Sequence, residues 1–384
     1  MNQAQTELGL LEWFHIGEYE RVEATIKEMS RLPFKRLRTG ISWADYHQPE
    51  GRKWIDWLIP RLTSEFELLP CFIYTPPSLG IVPKTSSPLR NPKDFADFLD
   101  DIIGRHGTHF ENVELWNEPN NLSEYDFTLD HDWEKFCEMM GAAAFWMKKL
   151  GKKTVLGGMS PVDPNWLRLM YSRGLMEYID VIGIHHFPGV FDTRSENWPS
   201  TVKKVKDIVE ENQAAQKIWI TETGYPTVHH REFEQLSHFM ECLDAPVERV
   251  YWYGLKDLHE KHPTVDGFHL DEREYAFGMI GKDEKPKLLY HELTREPIPT
   301  WTARYKRWTR HMPPDGQALD KPYALLVGDF CEEQFGLAEN LLQEKIPVAL
   351  YDLPADQNAI DRLEMLINHF GTGVRLFLAD IRNR

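Results

Sequence analysis

Two glutamates stand at the ends of strand-like runs in this sequence. The alternating run 113–116 stops before Glu118 and Pro119, and Glu222 lies at the end of the run KIWITET at 217–223. Proline cannot donate a hydrogen bond to a sheet, so Pro119 marks where the first strand must end and leaves Glu118 at its carboxyl end. Two carboxyl groups brought together can divide acid/base and nucleophilic catalysis between them, one giving a proton and the other attacking.

The elements that would position these glutamates are recognisable along the chain. Short apolar runs alternate with amphipathic stretches, such as YERVEATIKEMSRL, as far as about residue 296. This alternation is typical of βα units on a parallel sheet. Eight such units predict an α/β fold, a (β/α)8 TIM barrel over residues 1–296. The predicted strands are 8–14, 35–41, 68–74, 112–117, 153–158, 180–187, 217–223 and 248–254.

A (β/α)8 barrel carries its functional residues at the carboxyl ends of its strands. The loops after the third, fourth and eighth predicted strands are long and rich in Pro, Asn, His and Trp, which fits that face of the barrel. Glu118 ends the fourth predicted strand and Glu222 the seventh, so the two would face each other across the barrel mouth. A glycosidic bond held between them could be protonated by one glutamate and attacked by the other.

The motifs around both glutamates resemble those of a known group of enzymes. Trp-Asn-Glu-Pro at 116–119 is similar to the acid/base motif of the clan of retaining glycoside hydrolases built on (β/α)8 barrels, and Thr-Glu-Thr-Gly at 221–224 is similar to its nucleophile motif. The stretch from 8 to about 296 resembles the β-xylosidase-like branch, with Arg38 in LRTGISW and Trp252 in VYWYG. The resemblance implies cleavage of a β-glycosidic bond in a xyloside-like or related sugar by double displacement.

The resemblance also implies a role for each residue of the motifs. Glu118 would be the general acid and later the base, with a pKa raised to roughly 6 by partial burial near Trp116 and by the second carboxylate. Glu222 would be the nucleophile, and Asn117 would hydrogen-bond the sugar 2-hydroxyl. Retention requires the two carboxyl groups to lie about 5 to 5.5 Å apart, whereas a separation beyond about 6.5 Å favours inversion.

Arg38 and Trp252, which are also expected near the barrel mouth, allow two interpretations each. Arg38 would keep Glu222 ionised through a charge-assisted hydrogen bond, or it forms an ordinary salt bridge at the barrel mouth. Trp252 is a platform for a sugar ring or part of the core. Trp43 and Tyr74 are further candidates for shaping the sugar-binding subsites.

The end of the sixth predicted strand departs from the clan's pattern. His185 and His186 lie where the clan often has a histidine followed two residues later by a tyrosine that bonds the nucleophile, and here that later position is Phe187. One of the histidines, or Tyr225, would therefore have to orient Glu222. A structural role for His185 is the alternative.

Composition limits the classes of partner. The chain of 384 residues has a formal net charge of −16, which argues against nucleic acid or an anionic membrane as a partner. The N-terminus lacks the apolar run of a signal peptide, so we expect a cytoplasmic protein. The four cysteines lie far apart and show no metal-site spacing, and we expect neither metal nor cofactor. The expected partner is an oligosaccharide or glycoside.

The chain continues past the barrel into a second pattern. Residues 297–322 are a predicted linker or strap, and 323–384 resemble the opening β-α-β-α-β half of the extended short-chain dehydrogenases, the sugar-nucleotide epimerases. Gly328, Gly336 and Asp352 carry this resemblance, which implies a truncated Rossmann-like unit. We expect its uncovered sheet to pack on the barrel or to pair with a second copy as a homodimer.

The glycine-rich turn of this unit departs from the dehydrogenase family. The segment between its glycines, DFCEEQF, is two residues longer than the family spacing and lacks the middle glycine. Its acids, Asp329, Glu332 and Glu333, would repel a diphosphate at the helix N-terminus. We therefore expect neither dehydrogenase activity nor tight NAD binding.

The sequence as a whole predicts a retaining glycoside hydrolase. The alternative is a non-catalytic carbohydrate-binding or scaffold protein, which would not need both glutamates.

Overall fold

The computed structural model describes residues 6–191, 196–228, 231–260, 262, 271–312, 323–328, 331–351, 354 and 356–378. The chain divides into two compact units. The first comprises residues 1–226 and 238–285, and the second comprises residues 227–237 and 286–384. The second unit thus includes a short stretch of sequence that lies between the last two barrel strands.

Eight parallel strands of the first unit close into a barrel in chain order, which confirms the predicted α/β TIM barrel. The strands are β1 (Glu7–Leu11), β2 (Arg36–Ser42), β3 (Glu67–Ile73), β4 (Asn112–Leu115), β5 (Lys153–Met159), β6 (Val181–His185), β7 (Lys217–Thr223) and β8 (Arg249–Trp252). Closure comes from β1, which pairs in parallel with both β2 and β8.

Helices and single helical turns connect the strands. The α-helices up to β8 are α1 (Tyr19–Met29), α2 (Trp43–Tyr46), α3 (Gly51–Thr63), α4 (Lys93–His106), α5 (Glu134–Lys149), α6 (Pro164–Ser172), α7 (Trp198–Glu211) and α8 (Glu232–Leu243). The described 3-10 turns of the first unit are Gly107–His109, Phe127–Leu129, Leu175–Tyr178 and, after β8, Glu272–Tyr275.

Local sequence explains where these helices start and which face they bury. In α4, Phe95, Leu99 and Ile102 recur at helical spacing and are all buried, which gives the helix one apolar side. At the start of α7, the side chain of Asn197 accepts a hydrogen bond from the backbone N–H of Ser200 at 3.0 Å and caps the helix. None of the helices in the described part of the chain is long and apolar enough to cross a membrane.

Alternation along the strands decides which side chains fill the barrel. A buried cluster draws on five strands, and its members are Leu69, Val155, Val181, Trp219 and Tyr251. Because successive strand residues point to opposite faces, Trp252 must point away from this cluster. Its ring packs edge-on against Phe239 of α8, with the ring centroids 5.2 Å apart.

The second unit contains a small parallel sheet of three strands in the order β11-β10-β9. The strands are β9 (Ala324–Val327), β10 (Val348–Tyr351) and β11 (Val374–Phe377), and the helices are α9 (Leu288–Arg295), α10 (Ile298–Trp308), α11 (Glu332–Gln343) and α12 (Gln357–Phe370). Its 3-10 turns are Thr309–His311 and Gly371–Gly373.

Helix α10 lies within the stretch 297–322 that the sequence suggested as a linker or strap. Trp308 of α10 donates its indole N–H to Glu364 of α12 at 2.7 Å, so this helix is joined to the second unit. Within the same unit, Arg304 and Glu292 form a buried ion pair at 2.8 Å. Asp329 and Asp352, which belong to the dehydrogenase-like pattern, lie outside the described residues.

Gly157 allows a close approach between β4 and β5, and we expect Gly157→Ala to lower the free energy of unfolding. A Cβ atom there would stand 1.8 Å from the carbonyl oxygen of Trp116, so the backbone of one strand would have to shift. Overpacking of this kind costs about 1–3 kcal/mol. Urea unfolding measures the loss.

Gly104→Ala provides the matched control, because a Cβ atom at that position in α4 would have no neighbour within 4 Å among the described residues. Alanine favours a helix over glycine by about 0.5–1 kcal/mol, so this variant should be at least as stable as the parent. Equal stability of the two variants would contradict the close approach at Gly157.

Candidate active site

A cavity of about 1010 Å³ opens at the carboxyl ends of the barrel strands. The described residues that line it come from the ends of the strands and from the loops that follow. Six carry carboxyl groups: Glu12, Asp45, Glu118, Glu124, Glu222 and Glu274. Seven are aromatic: Trp13, Phe14, Tyr74, Phe187, Phe191, Tyr253 and Phe277. The combination of acids and aromatic faces suits a polyhydroxylated ligand with one apolar face.

Glu118 and Glu222 meet at the wall of this cavity, as the sequence predicted. One side-chain oxygen of each lies within 4.8 Å of the other and of a ring nitrogen of His185. Nδ1 of His185 is 2.8 Å from Oε1 of Glu118 and 3.7 Å from Oε2 of Glu222, while its Nε2 is 3.0 Å from the hydroxyl oxygen of Thr221. One ring nitrogen of His185 therefore faces the two carboxyl groups, and the other ring nitrogen is fixed by Thr221.

The guanidinium group of Arg38 joins three elements of the site. Its Nη1 donates to Glu222 at 3.0 Å and its Nη2 to Oδ1 of Asn117 at 2.7 Å. Its Nε donates to Glu114 at 2.6 Å. Arg38 and Glu114 are both fully buried, so the ion pair between them is shielded from water. The sequence left two interpretations of Arg38, a hydrogen bond to Glu222 and an ordinary salt bridge at the barrel mouth. In the structure Arg38 donates to Glu222 and also forms a buried salt bridge with Glu114.

The backbone around Glu118 adopts conformations that side chains rarely take. The φ angles are +72° at Trp116 and +39° at Glu118, and Tyr74, at the end of the neighbouring strand β3, has +66°. Positive φ is unfavourable for residues with a Cβ atom and is concentrated at functional sites. The indole N–H of Trp116 donates to the backbone oxygen of Glu124 at 3.1 Å, which holds the loop in this shape.

Hydrogen bonds control the ionisation of Glu118. Burial raises its pKa, but hydrogen bonds from His185, Asn121 and Ser160 favour the carboxylate and bring the pKa below the ordinary value. The amide of Asn121 donates at 2.9 Å. The sequence-based expectation of a raised pKa for Glu118 is therefore wrong, because it counted burial and not these donors.

Glu222 has the opposite shift. Burial raises its pKa above the ordinary value, and the positive charges of His185 and Arg38 only partly offset this effect. The negative charge of Glu118 adds to the increase. The two carboxyl groups thus titrate as a coupled pair.

Four further carboxyl groups of the cavity were not anticipated from the sequence, and Glu124 and Glu274 are two of them. Burial, followed by the charges of Glu118 and Glu222, raises the pKa of Glu124 to about 8. Burial and the charge of Glu222 also raise the pKa of Glu274 to about 8. Both lie in loops, where strand periodicity gives no signal. At neutral pH these two groups are mainly neutral acids.

The aromatic walls also differ from those expected. Tyr253 lines the cavity, whereas Trp252 is 1% exposed and packs on the outside of the barrel. The interpretation of Trp252 as a platform for a sugar ring is therefore wrong. The next residue, Tyr253, faces the cavity instead, since neighbouring strand residues point to opposite faces. Trp13, which follows β1, also lines the cavity and covers the guanidinium of Arg38, with 5.4 Å between the ring centroid and Cζ.

The other predicted positions divide into two groups. Tyr74 and Asn117 line the cavity, as predicted. The remaining four are buried in packing contacts and do not belong to its lining among the described residues: Trp43 stacks on Phe98, Trp116 packs on Phe95, His186 bonds the backbone oxygen of Glu196, and Tyr225 stacks on His238. Of the three candidates for orienting Glu222, His185 lies beside it, with Nδ1 at 3.7 Å from Oε2.

The ligand atoms of Glu118, His185 and Glu222 are close enough together to hold a metal ion. Against this reading, the guanidinium of Arg38 already donates to Glu222 at 3.0 Å. A divalent cation bound to Glu222 would stand close to that fixed positive charge. The arrangement of charges is better suited to two carboxyl groups acting directly on a ligand.

Several solved structures resemble this chain. A family 39 glycoside hydrolase from the gut symbiont Bacteroides cellulosilyticus WH2 has a TM-score of 0.57 at 18% identity, over 77% of this chain and 64% of that protein. The exo-beta-1,4-mannosidase from Opitutaceae bacterium strain TAV5 has a TM-score of 0.53 at 14% identity, over 93% and 79%. A GH5_18 protein from Bifidobacterium longum, in complex with Manb1-4GlcNAc, has 0.53 at 10% identity, over 97% and 91%.

These likenesses establish the barrel fold that the chain shares with glycoside hydrolases. No protein-family model matches the sequence, and no curated protein matches it. The chain spans 64% of the length of the family 39 hydrolase. At 18% identity or less, the fold is what is shared, so function must be argued from the geometry of the site.

We expect Arg38→Met to destabilise the protein by about 3–5 kcal/mol, because it leaves Glu114 buried without a countercharge. Urea unfolding followed by tryptophan fluorescence measures the loss. Adding Glu114→Gln to this variant should restore part of the stability, since the uncompensated charge is then removed.

The control for this prediction is Arg61→Met. Arg61 pairs with Glu23 at 2.7 Å, but the side chains are 27% and 50% exposed. Exposed pairs contribute about 0–1 kcal/mol, so this variant should unfold almost as the parent does. A similar loss in both arginine variants would show that burial of the Arg38–Glu114 pair is not what matters.

Proposed function

We propose that this chain is a retaining glycoside hydrolase that cleaves a β-glycosidic bond by double displacement. The observation that carries the proposal is the pair Glu118 and Glu222 on the wall of one cavity, with oxygens within 4.8 Å of each other. Retaining enzymes hold their two carboxyl groups about 5 to 5.5 Å apart, whereas inverting enzymes leave about 6.5 to 9.5 Å for a water molecule. The nearest oxygens of the pair are closer together than the inverting range, and this favours retention.

In the first step, Glu222 attacks the anomeric carbon while Glu118 protonates the departing glycosidic oxygen. The bond to the leaving group breaks, and an ester between Glu222 and the sugar forms. Arg38, bonded to Glu222 at 3.0 Å, keeps that carboxylate oriented toward the cavity. In the second step, Glu118 takes a proton from water, the water oxygen attacks the same carbon, and Glu222 is released with net retention of configuration.

The substrate in this proposal is a β-xyloside or a related β-glycoside, as the resemblance implies. Tyr253, Trp13 and Phe187 offer aromatic surface in the cavity against which a sugar ring could stack. Of the similar proteins, one is an exo-beta-1,4-mannosidase and another was solved in complex with Manb1-4GlcNAc. A β-mannoside therefore belongs beside the β-xyloside in any substrate test.

The second unit contributes no residue to the proposed mechanism. The strand order β11-β10-β9 is compatible with one half of a doubly wound sheet, and we propose that it is a Rossmann-like half-domain without a dinucleotide. Glu332 and Glu333 occupy the first turn of α11, where a diphosphate would need positive potential. The catalytic proposal uses residues of the first unit alone.

The first test compares the parent with Glu222→Gln on α- and β-linked aryl xylosides, glucosides, galactosides and mannosides. We expect turnover of at least one β-glycoside and of no α-glycoside, with a rate that falls at least about 1,000-fold in the variant because the nucleophile is lost. Proton NMR of the first-formed sugar should show the β-anomer. Formation of the α-anomer would contradict retention.

Glu211→Gln is the control, since Glu211 is an exposed residue at the end of α7. It should keep the parent's activity. If the parent turns over no glycoside, and oligosaccharides also remain intact, then the site binds carbohydrate without cleaving it, or has another function.

The pH dependence of kcat/KM gives a second test. Asn121→Ala removes a donor that favours the carboxylate of Glu118, so the pKa of Glu118 should rise toward its ordinary value. The optimum lies midway between the two titrations of the coupled pair, and raising one of them moves the optimum to higher pH. Hydrogen bonds to charged groups contribute about 1.5–3 kcal/mol, which is about 1–2 units in the pKa of Glu118, so we expect the optimum to shift by about 0.5–1 pH unit.

The control for this prediction is Asn212→Ala, which changes an asparagine at the end of α7. Its pH profile should coincide with that of the parent. An optimum that moves to lower pH in Asn121→Ala would mean that Asn121 does not stabilise the ionised form of Glu118.

A further inference from the structure

Glu124 is a buried carboxyl group at the cavity wall that the proposed mechanism does not use. Its side chain lines the cavity but is only 6% exposed. Its Oε2 atom has no hydrogen-bond partner among the described residues. A buried polar atom without a partner costs free energy, and such atoms in folded proteins call for an explanation.

The loop holds Glu124 firmly in this position. Its backbone N–H donates to the oxygen of Asn121 at 3.0 Å, and its backbone oxygen accepts from the indole of Trp116 at 3.1 Å. The next residue, Tyr125, is fully buried and donates its hydroxyl to Asp130 at 2.8 Å. The position of the carboxyl group is therefore set by the fold. Its terminal torsion remains soft, as in all glutamates, so either oxygen can turn toward a ligand.

The surroundings keep this carboxyl group neutral. Burial and the charges of Glu118 and Glu222 raise its pKa to about 8, while the neighbouring Asn117 and Tyr74 oppose the increase. A neutral carboxyl group carries an O–H, which is a hydrogen-bond donor that a carboxylate lacks. A sugar hydroxyl group could donate to the unpartnered oxygen of Glu124 and accept from its O–H, because a hydroxyl group is both a donor and an acceptor.

Asn117 shows which part of a ligand would be close. Its Oδ1 accepts from Arg38 at 2.7 Å, and its amide group donates a hydrogen bond to the side chain of Glu124. In the proposed function, Asn117 contacts the sugar 2-hydroxyl. A group beside Asn117 would meet a neighbouring position of the same ring.

We propose that Glu124 is a specificity-determining residue whose carboxyl group hydrogen-bonds to a ring hydroxyl of the sugar other than the one contacted by Asn117. This inference rests on the proposed glycosidase function. It adds to that function a requirement for one particular hydroxyl group, read by a carboxylic acid that lies six residues after Glu118.

A double-mutant cycle between protein and substrate tests the proposal. The substrates are the best aryl β-glycoside and its single-deoxy analogues at each ring position. For the parent, one deoxy position other than 2 should lower kcat/KM by about 10- to 100-fold, because the loss of a partner leaves Glu124 unsatisfied. For Glu124→Ala, removal of that same hydroxyl should cause almost no further loss.

Glu124→Gln separates this role from a structural one. At an assay pH well below 8, glutamine matches the neutral acid in size and retains both a donor and an acceptor. It should keep kcat/KM within about tenfold of the parent and keep the penalty for the deoxy substrate. Glu274→Ala, which removes the other cavity acid with a pKa of about 8, should also keep that penalty. Thermal unfolding of each variant establishes that it is folded at the assay temperature.

Two results would overturn the inference while leaving the proposed function intact. One is activity without coupling between Glu124 and any ring hydroxyl. The other is coupling with the 2-hydroxyl alone, which would mean that Glu124 acts by positioning Asn117. A parent enzyme that cleaves no glycoside would instead overturn the proposed function, and this inference with it.

Discussion

The site depends on one buried cation. Arg38 extends from β2 and donates to Glu114 of β4, to Asn117 in the loop after β4, and to Glu222 at the end of β7. Such a group is expensive to bury unless its donors are satisfied. The barrel supplies those acceptors from opposite sides of its mouth. The same contacts that neutralise Arg38 therefore fix the distance and orientation of the groups proposed to act on the substrate.

Water must also be kept away from this cation if its hydrogen bonds are to remain strong. Trp13 lies over the guanidinium on the side of the cavity. Gly40 makes room for the indole, because a Cβ atom there would stand 2.2 Å from the ring of Trp13. Trp13 therefore both forms part of the aromatic wall of the cavity and shields the ion pair of Arg38 from water. Gly40, on the neighbouring strand β2, leaves the space that the indole occupies.

The barrel could be predicted from the sequence because hydrophobic periodicity is a local signal, and the ends of β4 and β7 were marked by proline and glycine. The tryptophans could not be assigned in the same way. Whether Trp252 or Tyr253 faces the cavity depends on which residues of β8 point inward, and that is set by pairing with β1 and β7. Glu124 and Glu274 lie in loops whose path the periodicity does not reveal.

Electrostatic coupling explains how one glutamate can serve as acid and then as base. The charge of Glu118 raises the pKa of Glu222, and the interaction between two charges is mutual, so an ionised Glu222 equally disfavours ionisation of Glu118. In the proposed first step, Glu222 becomes a neutral ester. The repulsion then disappears, while the donors His185 and Asn121 still favour the carboxylate of Glu118. Glu118 has by then given its proton to the leaving group, so these donors hold it as the carboxylate that takes a proton from water in the second step.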